Sequence, residues 1–153
     1  MMTLVPALAF ADTTSLNVTA TVNDNSSDSE KSDIAFTVTS NDNAAIDEVT
    51  VTWGNQTKTV TLAAGTASDT ITVSKTAEAQ VNNLVAVSGD VTSPAQKVTV
   101  PASAKQVAQA KANQAAADAF VAFAKDTTAG NLTAFKLAYM AAGTGQDANI
   151  AAL

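Results

Sequence analysis

The stretch "EVTVTWG", residues 48–54, decides the class of fold, because apolar and polar residues alternate along it one by one. Val49, Val51 and Trp53 share one side of an extended strand, whereas Thr residues occupy the other side. A period of two is typical of a strand with one buried face and one solvated face. We therefore predict that Trp53 lies in a hydrophobic core and does not form a sugar-stacking surface.

Six further runs show the same alternation, and clusters of turn-forming Asn, Asp, Ser and Gly residues separate them. Seven short strands within about 90 residues, each polar on one face, indicate an antiparallel β-sandwich over residues 12–101. The inward-facing residues predicted for the six further strands are Leu16, Val18, Ala20 and Val22; Ile34, Phe36 and Val38; Val60 and Leu62; Ile71 and Val73; Val85 and Val87; and Val98 and Val100.

Residues 12–101 resemble the immunoglobulin-like and fibronectin-III-like domains of secreted bacterial proteins. The resemblance lies in the number of strands, their spacing and the position of Trp53 on the third strand. Two features of antibody domains are missing: the chain has no Cys, and its one Tyr, Tyr139, lies outside this region. Phe36 and Val85 are predicted to fill the space of the disulfide. The resemblance implies an architecture and transfers no functional residue.

The composition changes near Pro101, where Thr-rich and Val-rich sequence gives way to Ala-rich sequence. Ser103, followed three residues later by Gln106, forms a capping-box pattern and predicts a helix over residues 104–125. The segment "DTTAGN" interrupts it, and "NLTAFKLAYMAA" predicts a second helix that ends at Gly143 and Gly145. Residues 102–153 are therefore predicted to form an Ala-rich helical hairpin.

A hairpin of about 50 residues is too small to be stable alone without a staple or a docking surface. Its larger apolar side chains must therefore pack on the sandwich or on another chain. The residues predicted to dock are Phe120, Phe123, Leu132, Phe135, Tyr139 and Met140.

The first residues of the chain have the form of the end of a signal peptide. An apolar run leads to Ala9-Phe10-Ala11, and this A-x-A pattern predicts cleavage before Asp12. The run is too short to span a bilayer, and no basic segment precedes it. We interpret residues 1–11 as a signal-peptide remnant, with an apolar first strand as the alternative. The mature chain is then expected to be secreted or at the cell surface, with no integral membrane segment.

The composition also limits the chemistry that the chain can perform. There is no His, no Cys and no Arg, and the net charge is −6. Without an imidazole base or a thiol nucleophile an enzymatic function is not expected, and neither a zinc site nor a haem site has its usual ligands. Nucleic acid is disfavoured because it is bound by clustered Lys and Arg. We expect no cofactor and no catalytic residue.

One loop contains the residue types that bind calcium. The segment "NDNSSDSEKSD", residues 23–33, holds the candidate ligands Asp24, Asp28, Glu30 and Asp33. Their spacing matches no EF-hand, and the Gly of the sharp turn is missing. We therefore prefer to interpret the segment as a solvated loop that holds no metal.

These observations lead to one hypothesis and two alternatives. We expect a secreted, non-catalytic structural or adhesive protein whose C-terminal helices self-associate or dock to a cell-surface partner. The first alternative is an extracellular module that binds a glycan or another ligand through loops at one end of the sandwich. The second is one segment of a larger surface protein, in which the helical hairpin is a linker.

Overall fold

The computed structural model describes residues 13–42 and 44–143. Two antiparallel β-sheets are followed by two α-helices, which confirms the predicted β-sandwich followed by a helical hairpin. The predicted signal-peptide remnant at residues 1–11 lies outside the described residues, and so does Gly145. Within the described part of the chain, neither helix is long and apolar enough to cross a membrane.

The first sheet has the strand order β1-β2-β5, and the second has the order β4-β3-β6-β7, with β8 also pairing with β6. The strands are β1 (Leu16–Asp24), β2 (Lys31–Ser40), β3 (Glu48–Trp53), β4 (Gln56–Thr61), β5 (Thr66–Ser74), β6 (Gln80–Ser88), β7 (Val91–Thr92) and β8 (Gln96–Val100). Seven of them are the predicted strands. The eighth, β7, has only two residues, and an alternation cannot be recognised over so short a length.

The chain forms two compact units. The first contains Asp33–Thr72 and Val81–Val98, together with the described residues before Asp24. The second contains Asp24–Ser32, Val73–Gln80 and the described residues from Thr99 onward.

The core of the first unit surrounds Trp53, as predicted. Trp53 is 2% exposed, its neighbours Val49 and Val51 are fully buried, and its indole Nε1 donates a hydrogen bond to the Val98 carbonyl at 3.3 Å. A buried indole N–H needs such an acceptor, because an unpaired polar group in a core is unfavourable. Trp53 is therefore a core residue, and its ring is not available to stack on a sugar.

The prediction of which β6 residues point inward is wrong. Leu84 and Ala86 are fully buried, whereas Val85 and Val87 are only half-buried. The pairing with β3 explains the difference, because Leu84 lies opposite Trp53. Paired residues of an antiparallel sheet point to the same face, so the inward Trp53 requires an inward Leu84. The expected filling of the disulfide space by Val85 is wrong for the same reason.

The hairpin between β3 and β4 is a two-residue turn in which Gly54 comes first, with φ at 58°. This left-handed conformation favours glycine and suits the twist of the flanking strands. A Cβ atom at this position would also lie 3.1 Å from the side-chain nitrogen of Asn82. The conformation thus favours glycine at position 54, and a larger residue would also have to displace the Asn82 side chain by a few tenths of an ångström.

In the second unit, α1 (Ala104–Lys125) has the predicted bounds and α2 (Ala129–Ala141) follows after three residues. Thr128 caps the start of α2, its hydroxyl accepting a hydrogen bond from the Asn131 N–H at 3.4 Å. The helix ends before Gly143, whose φ of 63° stops further helical growth.

We expect Leu84→Ala to lower the free energy of unfolding by about 3 kcal/mol, because it removes a fully buried side chain next to Trp53. Val85→Ala is the matched control and should lower it by about 1 kcal/mol, because Val85 is only half-buried. Urea unfolding followed by the fluorescence of the single Trp measures both variants. A larger loss for Val85→Ala than for Leu84→Ala would contradict the observed register.

Candidate interaction site on the helical pair

Helix α1 is capped by a buried serine whose hydroxyl and backbone N–H make three hydrogen bonds. Ser103 is 1% exposed, and its Oγ accepts from the Gln106 N–H at 3.0 Å. The same Oγ donates to Glu30 Oε2 at 2.6 Å, and the Ser103 N–H donates to the Thr76 carbonyl at 2.8 Å. Ser103 therefore caps α1 and also connects its first turn to two other segments of the second unit.

The capping box predicted for Ser103 and Gln106 is only half formed. Gln106 does not reach back to the Ser103 N–H, because the Thr76 carbonyl already accepts from that group. Its side-chain Nε2 donates instead to the Lys75 carbonyl at 2.9 Å. The glutamine thus makes a connection to the segment that follows β5, which the local pattern cannot predict.

Lys75 brings a buried positive charge to the same region. It is 7% exposed, and its Nζ donates to Asp24 Oδ1 at 2.6 Å and to the Ser29 carbonyl at 2.9 Å. A buried ammonium group without such partners would be strongly unfavourable. We refer to Asp24, Glu30, Lys75, Ser103 and Gln106 as the anchor cluster, because together they connect α1 to residues 24–32 and 73–80.

The structure gives protein partners to three of the candidate calcium ligands. Asp24 and Glu30 belong to the anchor cluster, and Asp33 accepts a hydrogen bond from Thr72 Oγ1 at 2.7 Å. Within residues 13–42 and 44–143, no three His, Cys, Asp or Glu side chains come together as a metal site would require.

The fourth candidate, Asp28, makes contacts within its own turn. Its Oδ1 accepts from the Glu30 N–H at 2.9 Å, and its Oδ2 lies 3.4 Å from Lys31 Nζ. The backbone hydrogen bond, assisted by the Lys31 ammonium, lowers the pKa of the Asp28 carboxyl below its ordinary value. Asp28 is therefore a charged turn residue in which Oδ1 accepts from the backbone and Oδ2 pairs with Lys31.

The two helices meet around the ring of Phe135, which is 8% exposed. The centroid of the Phe120 ring lies 5.5 Å from that of Phe135, with the two rings tilted. The Phe123 ring is nearly parallel to that of Phe135, and their centroids are 6.4 Å apart. The Tyr139 ring meets the edge of Phe135 at 5.7 Å. Aromatic pairs at these distances stabilise a contact beyond the area that they bury. We refer to these four rings as the ring cluster.

Small residues allow the helices to approach each other beside the ring cluster. Ala116 of α1 and Ala142 after α2 are 7% and 3% exposed. The side chain of Gln109 donates a hydrogen bond to the Ala142 carbonyl, which fixes the end of α2 against α1. The hairpin is therefore closed at this end by a hydrogen bond and stabilised along its length by rings.

A groove of about 450 Å³ runs along this helical pair. Apart from Asn113, its lining is apolar and includes no charged side chain. Phe120 stands at its rim with 54% of its surface exposed, although one side of its ring packs on Phe135. The other lining residues are Ala116 and Ala117 of α1, with Phe135, Tyr139 and Ala142 from the second half of the hairpin. We name this surface the docking groove.

The predicted docking residues are thus only partly brought together. Four of them form the ring cluster, whereas Leu132 is half-buried and Met140 is 50% exposed outside the groove lining. The prediction missed Ala116, Ala117 and Ala142, because Ala is so frequent in this region that no single Ala stands out. Their spacing of three and four residues from Phe120 and Tyr139 is the signal that identifies their common face.

A second groove of about 410 Å³ lies on the first sheet, and five of its nine lining residues carry a hydroxyl group. Ala35 leaves a hollow on β2, and Thr37 Oγ1 lies 2.8 Å from Ser68 Oγ beside it. Asp69 lines the groove, and its Oδ2 lies 3.3 Å from Lys58 Nζ. A hydrogen bond from the Thr70 N–H, together with Lys58, lowers the pKa of the Asp69 carboxyl. We name this surface the sheet groove.

Comparison of the chain with protein-family models, with curated proteins and with solved structures found no match.

We expect Ser103→Ala to lower the free energy of unfolding by about 2 kcal/mol, because it removes a helix cap and the hydrogen bond to Glu30. Ser103→Thr keeps the hydroxyl, so it should lower the free energy of unfolding less than Ser103→Ala does. Thr128→Ala is the matched control, since it removes the exposed cap of α2, and it should cost less than about 1 kcal/mol. Urea unfolding followed by far-UV circular dichroism compares the three. Equal losses for Ser103→Ala and Thr128→Ala would show that the anchor cluster is not needed.

Proposed function

We propose that this chain is a secreted, non-catalytic structural or adhesive protein that self-associates through its C-terminal helices. The observation that carries the proposal is the docking groove, an apolar surface with the half-exposed Phe120 at its rim. Contiguous apolar surface that is exposed to solvent is a feature of protein interaction sites.

The exposed apolar area makes a weak association energetically reasonable. Burying the exposed half of Phe120 would contribute about 1–2 kcal/mol for each copy. The loss of translational and rotational freedom opposes this gain, so several such side chains are needed. Among the other exposed large apolar residues of the helical pair, Val121 directly follows the groove residue Phe120 and can extend the contact. Leu137 and Met140 each precede a groove residue by two positions and lie on the far side of α2.

The other parts of the proposal are supported by the sequence and by the strand order. The pattern Ala9-Phe10-Ala11 supports export, and the absence of His and Cys from the sequence supports a non-catalytic role. An immunoglobulin-like sandwich is supported because β4 joins the sheet of β3, β6 and β8. Variable-type immunoglobulin domains likewise add strands to the sheet of the third, sixth and seventh strands. In this proposal the sandwich serves as the rigid body that presents the helices.

We expect the average mass of the chain to rise above the monomer value of 15.4 kDa as its concentration increases. Phe120→Gln should weaken this association at least about tenfold, because it replaces the rim of the groove by a polar helix-forming residue. Val81→Thr is the control, since Val81 of β6 is 49% exposed but lies outside the helical pair. Size-exclusion chromatography with light scattering measures the mass, and circular dichroism verifies that the helices remain.

Two results would contradict this proposal. The first is a monomer at every concentration up to about 1 mM, a range in which even weak specific contacts are populated. The second is an association that Phe120→Gln and Val81→Thr weaken equally, because it would place the contact outside the docking groove.

The sheet groove supports a second candidate function, the binding of an extracellular glycan. Hydroxyl and carboxylate groups, such as those of Thr37, Ser68 and Asp69, can exchange hydrogen bonds with sugar hydroxyls. The groove offers no exposed aromatic ring on which a sugar could stack, so we place this function second.

If the sheet groove binds a glycan, the chain should co-sediment with insoluble polysaccharide such as cellulose, chitin or peptidoglycan. Ala35→Tyr should abolish the co-sedimentation, because the ring would fill the hollow on β2. Phe120→Gln, which changes only the helical pair, should bind as the parent chain does. Absence of the parent chain from every pellet would remove this candidate.

A further inference from the structure

We propose that the docking groove is occupied by the docking groove of a second copy, so that two helical pairs meet face to face across a two-fold axis. In this arrangement Phe120 of each copy enters the groove of the other. The inference rests on the proposed self-association, and it adds the identity of the partner surface and its symmetry.

The shape of the groove supports this pairing. Ala116 and Ala117 precede Phe120 by four and three residues, so a hollow lies one helical turn away from a projecting ring on the same face. Ala142, which follows α2, also lines the hollow. In a two-fold contact the same patch meets itself, which requires that projection and hollow lie together on one surface. The docking groove fulfils this requirement, because each copy offers both parts.

The distribution of charge on α1 supports it as well. Asn113 is the polar residue of the groove lining, and no charged side chain lines it. Lys111 and Asp118 each precede a groove residue by two positions, which corresponds to about 200° around a helix. They therefore lie on the opposite side of α1. On α2, Lys136 directly follows Phe135 and is half-buried, so it lies to the side of the groove and outside its lining. The two groove linings can therefore meet without burying an unpaired charge, which would be unfavourable.

The number of helices and the area of the face agree with a closed dimer. Two hairpins that meet by their apolar faces form a four-helix arrangement with an apolar interior. The 13 residues of α2 extend over about 20 Å, so a face about 20 Å square would bury roughly 800 Å² in the pair. Such an area lies below that of most stable interfaces, so a weak dimer that forms only at about 100 μM or above is expected.

A disulfide test distinguishes the two-fold contact from other modes of association. The chain contains no Cys, so each variant with one Cys reports on one position. In a two-fold contact, residues near the axis face their own copies, and a disulfide forms when two Cα atoms approach within about 7 Å. We choose Ala117→Cys and Asn113→Cys, which lie in the groove. The matched control is Ala115→Cys, which is exposed at the same level of α1 on its far side.

Under mild oxidation at a concentration where the parent chain associates, one groove variant or both should form covalent dimers at least about tenfold faster than Ala115→Cys. Adding Phe120→Gln to the same variants should remove the difference. Non-reducing gel electrophoresis measures the dimers, and light scattering on the parent chain gives the stoichiometry. A stoichiometry that stops at two supports the inference.

Three results would overturn it. If the chain associates and Phe120→Gln disrupts the association, but neither groove variant cross-links faster than the control, self-association stands and the two-fold contact fails. A mass that keeps rising above that of a dimer also rules out the two-fold contact, because it indicates head-to-tail contacts, which do not stop at two copies. A chain that stays monomeric at every concentration overturns both this inference and the proposed self-association.

Discussion

The hydrogen bond from Ser103 Oγ to Glu30 Oε2 is the contact on which the arrangement of the second unit depends. It joins the first turn of α1 to residues 24–32, while the backbone of Ser103 and the side chain of Gln106 join that turn to residues 75 and 76. The buried ammonium group of Lys75 completes the cluster through Asp24. Because these contacts are polar, their strength depends on distance and direction, so they fix where α1 begins.

This anchoring explains how an aromatic stripe can remain partly exposed. The start of α1 is held by the anchor cluster, so the rings are not needed to hold it in place. They pack instead between α1 and α2, with Phe135 at the centre. A helix of 13 residues is only marginally stable by itself in water, so α2 depends on these ring contacts. The side of the ring cluster that neither helix covers is the docking groove, and Phe120 remains half exposed at its rim.

Much of the fold can be predicted from the sequence, because one physical rule determines it at each place. Alternation identifies strands such as β3, where Val49, Val51 and Trp53 all point inward as predicted. Ser103 predicts the first residue of α1 for a similar reason, since a cap is a local interaction. Local rules fail where two choices are equally apolar. In β6, Leu84 and Val85 both suit a core, and only the pairing with β3 decides between them.

The candidate site is less accessible to prediction for the same reason. The sequence predicts the large side chains of the stripe, such as Phe120 and Phe135, but it does not predict which of them are covered. That depends on how closely α1 and α2 approach, and the approach is determined by Ala116 and Ala142 within a region that is rich in Ala throughout. The partner of Gln106 is also beyond local prediction, because Lys75 is 31 residues away in the chain.

The central claim is that the docking groove is the surface that becomes covered when the protein associates. Amide hydrogen exchange, measured on the parent chain at low and at high protein concentration, tests it most directly. We predict slower exchange at high concentration for residues 113–120 and 135–142, with unchanged exchange in the strands of both sheets. Exchange in these helical segments that does not depend on concentration, or protection that develops in the strands instead, would contradict the account.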